Sequence, residues 1–213
     1  LVFSLTTLSQ AQGTDFMAPG KWLISLQLAQ GSTRVADTTG ILPSIFFPWN
    51  ESGFDLGVSM GIGGHWAASL NGYWSFSNYK FKDPTIVDKV KTSSWGIRGG
   101  ADVYIPVTDK FAIYMGPGVL YSRAKIKHEV EPTAGVSVEI DNPFTNSLSL
   151  AGRFGGFYKL STNFGIYGNI GKQFTYSWFS VNSGGVDNDL TWWTSSLDAH
   201  MGFAVMFGGT SGQ

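Results

Sequence analysis

The 213-residue chain contains no cysteine, which excludes a disulfide framework and thiolate metal sites and is compatible with an exported protein that folds without covalent staples. It also lacks any apolar run of the roughly 18 residues that a membrane-crossing helix needs. A chain of this sequence that spans a bilayer must therefore do so as a closed β barrel, the other architecture that satisfies its own backbone. Charge is scarce: 14% of residues, against about 25% in ordinary soluble domains. The net charge of −1 gives no excess of one sign to hold a nucleic acid. In their place stand 28 glycines and 15% aromatic residues, a composition suited to a protein much of whose surface does not face water.

Helical periodicity is nearly missing, whereas period-two alternation recurs in segments of about ten residues, the length a tilted strand needs to cross a bilayer. There are eight such segments. In WLISLQLAQ, Trp22, Ile24, Leu26 and Leu28 oppose Ser25 and Gln27. In FDLGVSMGI, Phe54, Leu56, Val58, Met60 and Ile62 oppose Asp55, Gly57, Ser59 and Gly61. The third, ASLNGYWSFSNY, sets Leu70, Trp74 and Phe76 against Ser69, Asn71, Tyr73 and Ser75. The fourth, SSWGIRGGADVYIP, sets Trp95, Ile97, Val103 and Ile105 against Arg98, Gly100, Asp102 and Tyr104. FAIYMGPGVLYS, SLSLAGRFGGFY, GIYGNIGKQFTY and SSLDAHMGFAVMF continue the scheme. Pro117 interrupts the fifth, where a bulge at Gly-Pro-Gly is expected.

The connections alternate between short (GGHW, PVTDK, KLSTNF) and long (residues 31 to 53, 79 to 92, 123 to 146 and 177 to 193). With an even strand count this is the pattern of an outer-membrane barrel with short periplasmic turns. The expected fold is all-β: an eight-stranded antiparallel transmembrane up-and-down barrel with long extracellular loops. LVFSLTTLSQAQG reads as the end of a signal sequence with small residues Ser9 and Ala11 before the cleavage point. Residues 1–11 are accordingly expected to be a signal remnant and residues 12–213 a single barrel domain.

In such a barrel lipid solvates the outside and side chains fill the inside. Arg98, Asp102, Arg153, Asp198 and His200 then point inward with Asp55, Asn71 and Tyr73, as a polar network closing the lumen. Buried charge is tolerated only when paired, so Arg98 is expected to meet Asp198 or Asp102, and Arg153 to meet Asp198. Lys172 faces outward and is expected in the outer half of the membrane, where its stem reaches the interface. Aromatic residues fall at both interfaces. Trp22, Trp66, Phe111, Tyr158 and Phe207 mark the periplasmic end, and Trp74, Tyr79, Trp95, Tyr121, Trp178 and Trp192 the outer end.

The glycine-interleaved strands GIRGGADVYIP, FAIYMGPGVLYS and LDAHMGFAVMF, together with the loop alternation and the signal-like start, resemble the OmpX/OmpA-type eight-stranded outer-membrane barrels. That resemblance implies the outer membrane of a Gram-negative bacterium and a structural, adhesive or defensive role. One departure is the end, where Phe207 is followed by GGTSGQ and not by the chain terminus.

The chemistry legible in the residues is sparse. His65, His128 and His200 have no metal-site spacing, no nucleotide or hydrolase motif occurs, and neither cofactor nor metal is expected. Two alternatives stay open. His200 beside Asp198 with a nearby serine imitates a hydrolase triad, as in a lipid-modifying barrel enzyme. GKWLIS resembles the opening of a lipocalin, a soluble barrel that carries an apolar ligand. The principal expectation is a non-catalytic, monomeric barrel whose partners are membrane lipids and, through its loops, an extracellular protein. Ile45, Phe46, Phe47 and Trp49 in the first loop either cover the barrel mouth or form a contact patch. Ile126, Val130, Val138 and Ile140 share a face of a protruding hairpin in the third. The mixed signs of Lys125, Lys127, Glu129, Glu131, Glu139 and Asp141 argue against affinity for a simple polyanion.

Overall fold

The computed structural model describes residues 16–36, 45–82, 86–132, 138–141, 144–183 and 186–208; the signal-like residues 1–11 lie outside them. The strands are β1 (Lys21–Ala36), β2 (Ile45–Gly63), β3 (Trp66–Lys82), β4 (Ile86–Pro106), β5 (Phe111–Pro132), β6 (Val138–Asp141), β7 (Thr145–Lys159), β8 (Phe164–Ser183) and β9 (Val186–Gly208). Every neighbouring pair is antiparallel. β1 pairs with β9, from Lys21 opposite Gly208 to Ala36 opposite Trp193, so the eight long strands close into a ring, with the short β6 added to the upper part of β5. Closure leaves no sheet edge within the span, as a strand surrounded by lipid requires.

Side-chain alternation sorts the two faces as expected. Outward residues are exposed, up to 72% for Leu28 and 74% for Met201, whereas Ser25, Gln27, Asp55, Ser59, Ser69 and Asn71 are buried inside. This is the inverse of a soluble carrier barrel, so the lipocalin reading fails.

The short turns follow local chemistry. Gly64 and His65 both have positive φ, 57° and 69°, as a two-residue type I′ hairpin requires. In the turn before β5, the Thr108 hydroxyl accepts from the Phe111 amide at 3.0 Å. Pro117 makes no bulge. The β4–β5 register is the same on both sides of it, from Gly100 opposite Gly118 to Val103 opposite Met115. The rungs of Gly116 and Pro117 with β4 are simply missing, since proline has no N–H to donate, while both residues stay paired to β7.

The strands run beyond the membrane. β9 has 23 residues, twice what a tilted strand needs to span. The expected loops at 31–53, 79–92 and 177–193 are largely continued strand pairs: Val35 faces Ile45, Phe81 faces Asp88, and Ser183 faces Val186. Beyond the span a ladder needs only its backbone hydrogen bonds, not one apolar face. Polarity alternation therefore fades while the ladder continues. The third hairpin rises as expected, with Val130 opposite Val138.

The periplasmic end carries a feature the alternation does not announce. Phe16 and Met17, ahead of β1, turn into the barrel and are 1% exposed. They join Leu23, Tyr104, Tyr114, Phe157, Tyr167 and Met206 in an apolar plug. The Phe16 ring meets Phe157 edge-on at 6.0 Å, and Lys159 Nζ lies 3.8 Å from its centroid. Replacing a buried phenylalanine by alanine costs about 3 to 5 kcal/mol. Phe16→Ala is expected to lose a comparable amount in urea unfolding from lipid vesicles; an unchanged midpoint would show that the segment does not seat in the barrel.

Candidate functional site: the lumen row

One transverse row of the barrel organises its interior. Reading around the ring, Asp102 on β4 lies level with Gly116 on β5, beside which its carboxylate stands although that rung is missing, and Arg153 on β7, Gly171 on β8, Asp198 on β9 and Gly31 on β1 follow. Charge and glycine alternate. A methyl group on Gly116 would stand 2.6 Å from Asp102 Oδ1, and one on Gly171 2.1 Å from Asp198 Oδ1. The glycines are vacant ground over which the long polar side chains of the next strand lie.

Arg153 therefore has a carboxylate two strands away on either side, each across a glycine. It takes Asp102. Arg153 Nε donates to Asp102 Oδ1 at 2.7 Å and Nη2 to Asp102 Oδ2, a two-pronged pair, while Nη2 also donates to Ser69 Oγ at 3.0 Å. Asp102 is fully buried. The expected Arg153–Asp198 pair is thus replaced, because Asp198 is engaged elsewhere. Asp198 Oδ2 accepts from Gln173 Nε2 and lies against His200 Nε2, both at 2.8 Å. The other ring nitrogen of His200, Nδ1, is 3.1 Å from Asp55 Oδ2, at ion-pairing distance but outside hydrogen-bond alignment. With a carboxylate at each nitrogen, His200 has none left to take a proton from a serine. The triad-like reading has no geometry to support it.

Arg98 is buried and lines one cavity of about 100 Å³ with Asp55, Asn71, Tyr73, Asp198 and His200. It is not joined to Asp102 or Asp198 by an ion pair among the described residues, and its Nη2 has no hydrogen-bond partner there. A smaller cavity of about 20 Å³, lined by Gln27, Tyr104, Tyr114, Arg153 and Tyr167, lies toward the plug. Above the row the wall is hydroxylic: Ser75 meets Ser94 at 2.5 Å, and Ser147 meets Ser177 at 2.8 Å.

All eight expected lumen residues thus face inward. Ser69, expected on the inward face, and Gln173 and Asn169, not singled out in advance, lie at inward positions of the same alternation. Asn169 Nδ2 donates to Tyr114 Oη at 2.8 Å and to Gln27 Oε1 at 3.2 Å. Outside, Lys172 Nζ donates to Ser195 Oγ at 2.6 Å. Ser195 faces Phe174, two residues nearer the outer end, so the lysine stem leans toward the interface. Trp193, at 51% exposure, occupies the outer aromatic level. Trp192 instead faces buried Ser177 and belongs to the inward face. The side chains of Ile45, Phe46, Phe47, Trp49, Ile126, Val130, Val138 and Ile140 lie outside the described residues. The backbone of the first three is in the β1–β2 ladder, not folded across the mouth.

Removing one partner of a buried ion pair costs about 3 to 5 kcal/mol, whereas replacing both by apolar residues is often neutral. Arg153→Met alone is expected to destabilise the barrel by that amount, and Arg153→Met with Asp102→Leu to recover most of it. Equal losses in the single and double variants would mean that the pair is not the unit. Lys172→Leu is expected to change stability in zwitterionic detergent by less than about 1 kcal/mol, since the stem leans toward the outer end; a larger loss would place it deeper.

No family model and no curated protein matches the chain. Solved structures do. The outer membrane protein OprG from Pseudomonas aeruginosa is 14% identical, over 92% of this chain and 100% of that one, with a TM-score of 0.55. Neisserial surface protein A is 14% identical, over 88% of this chain and 99% of that one, with a TM-score of 0.51. Identities this low speak of architecture alone, and with the closed ring, the inverted polarity and the turn pattern they give this chain the fold of the eight-stranded outer-membrane β barrels.

Proposed function

We propose that the barrel is a non-catalytic anchor in the outer membrane of a Gram-negative bacterium, with a lumen closed to ions, and that its task lies in the strands standing above the membrane. The observation that carries this reading is the division of the molecule. The span is filled by the Arg153–Asp102 pair, the tyrosines and the Phe16–Met17 plug, and an eight-stranded interior is only about wide enough for side chains. Among the described residues, the cavities beside Arg98 and Tyr114 are small, about 100 and 20 Å³.

Above the span the upper parts of β3, β4 and β5 with β6 make a four-stranded sheet. Among the described residues, β6 pairs only with β5 and β3 beyond Asn78 only with β4. Such edges accept a partner strand through backbone hydrogen bonds, which favours an extracellular protein partner and an adhesion-like role. A barrel of this size, with its outward face in lipid, functions as a monomer.

Planar-bilayer recording of the refolded chain is expected to show no steady conductance, and a reproducible porin-sized step would overturn the closed lumen. Replacing residues 128 to 141 by a short turn is expected to leave a barrel that still migrates differently on gels before and after boiling, while abolishing attachment to host cells or matrix protein. Attachment that survives the replacement would reduce the proposal to a structural anchor.

A further inference from the structure

Around the closed ring, neighbouring long strands follow one another in the chain, apart from the short β6 between β5 and β7. The exception is β1 with β9, a seam closed by pairing alone. At the periplasmic rim β2 and β3, β4 and β5, and β7 and β8 are joined by short turns, and each turn is stitched to the strand next around the ring. The Tyr104 amide donates to the His65 carbonyl at 2.8 Å, the Lys159 amide to the Lys110 carbonyl at 2.7 Å, and the Met206 amide to the Asn163 carbonyl at 2.8 Å. Between β9 and β1 no turn exists to do this.

Residues 16–20 stand in its place. The Gly20 amide donates to the Gly61 carbonyl of β2 at 3.1 Å, and the Lys21 amide to the Ala18 carbonyl at 2.9 Å. β2 is shaped to receive the segment. Ile62 is an extra residue between Gly61 opposite Ala67 and Gly63 opposite Trp66, a bulge of the kind that re-aims a strand. A methyl group on Gly61 would run into the carbonyl oxygens of Met17 and Ala18, and across the seam one on Gly208 would stand 2.8 Å from the Gly20 carbonyl oxygen. The buried cluster that Phe16 and Met17 join includes Leu23 of β1 and Met206 of β9, opposite each other at the seam, with members from β3, β4, β5, β7 and β8. With Gly61 of β2, every long strand contributes. The seat is therefore complete only when the ring is closed.

We propose that residues 16–20 are a strap that locks the β1–β9 seam, seating after the ring has closed and slowing its reopening. The strap is continuous with β1 and buries its side chains beside β9, so parting the two strands at the rim requires Phe16 and Met17 to leave the floor. Contacts made after the rate-limiting step of folding leave the folding rate unchanged and act on the unfolding rate. A lock therefore differs from ordinary core packing in where and when it acts. The inference is independent of any extracellular partner and of whether the lumen conducts.

The test follows unfolding and refolding of the full chain in urea with lipid vesicles, comparing the parent with Phe16→Ser/Met17→Ser, which empties the seat. Unfolding is expected to be at least about tenfold faster in the variant, and refolding to stay within about threefold of the parent. Because the chain has no cysteine, Trp22→Cys with Phe207→Cys, opposite each other on the outward side of the seam, gives a single disulfide across it. Ile24→Cys with Val205→Cys is the alternative pair. In the oxidised background, loss of the strap is expected to change unfolding by less than about threefold, and reduction to restore the full effect. An undiminished acceleration under oxidation would mean that the strap only packs the floor, and slowed refolding would put it among the contacts that build the ring. Either result overturns the lock. Gly61→Val, which blocks the seat from β2, serves if the double-serine variant does not refold; if neither variant refolds while the parent does, the strap is needed to form the ring and the proposal fails. Heat-modifiable migration identifies the folded chain in each case.

Discussion

An arginine inside an eight-stranded barrel has nowhere to go for solvation, and the interior is arranged around that constraint. Arg153 is largely surrounded by lumen side chains, so its charge calls for a carboxylate, and Asp102 meets it with two contacts. The pair forms because the strand between them carries glycine at that level. Any side chain at residue 116 would collide with the Ala101 carbonyl oxygen, 1.9 Å from where its Cβ would stand. Glycine within a strand ordinarily weakens it. Here it makes room for a cross-strand ion pair, and the ring as a whole gains a brace that no neighbouring-strand contact supplies.

The same reasoning explains what could be read in advance. Alternation with period two depends only on local sequence, and the difference between lipid and lumen is large, so face assignments from Trp22 to Phe207 were legible. Partner choice was not. Arg153 has Asp102 on one side and Asp198 on the other at equal strand distance, and what decides between them is that His200 and Gln173 already hold Asp198. That depends on the register of five strands at once. Phe16 and Met17 were illegible for another reason: they lie outside any strand, and two apolar residues before Pro19 and Gly20 carry no period. Trp192 and Trp193 show the limit of counting, since adjacent tryptophans fit either face until the β8–β9 register sets one against buried Ser177.

The long hairpins raise a different point. Within the membrane, sequence and structure agree because solvent differs on the two faces. Above it, the β8–β9 ladder persists through backbone pairing up to Ser183 opposite Val186, without demanding alternation. Segments that look like loops by polarity can therefore be strands by hydrogen bonding. Only the third hairpin, where Ile126, Val130, Val138 and Ile140 keep the period, announced itself.

The two ends of the barrel thus answer to different pressures. The periplasmic end is short, turn-bound and plugged, with the tightest turn, Gly64 and His65, held at positive φ. The outer end spends most of the chain's additional length on strands that the span does not need. Since the span itself requires only about ten residues per strand, the surplus in β4, β5 and β9 has no role in crossing the membrane. The surface-anchoring role proposed above therefore draws on the length of chain that crossing the membrane leaves over, and the span itself contributes the closed ring that holds those strands in place.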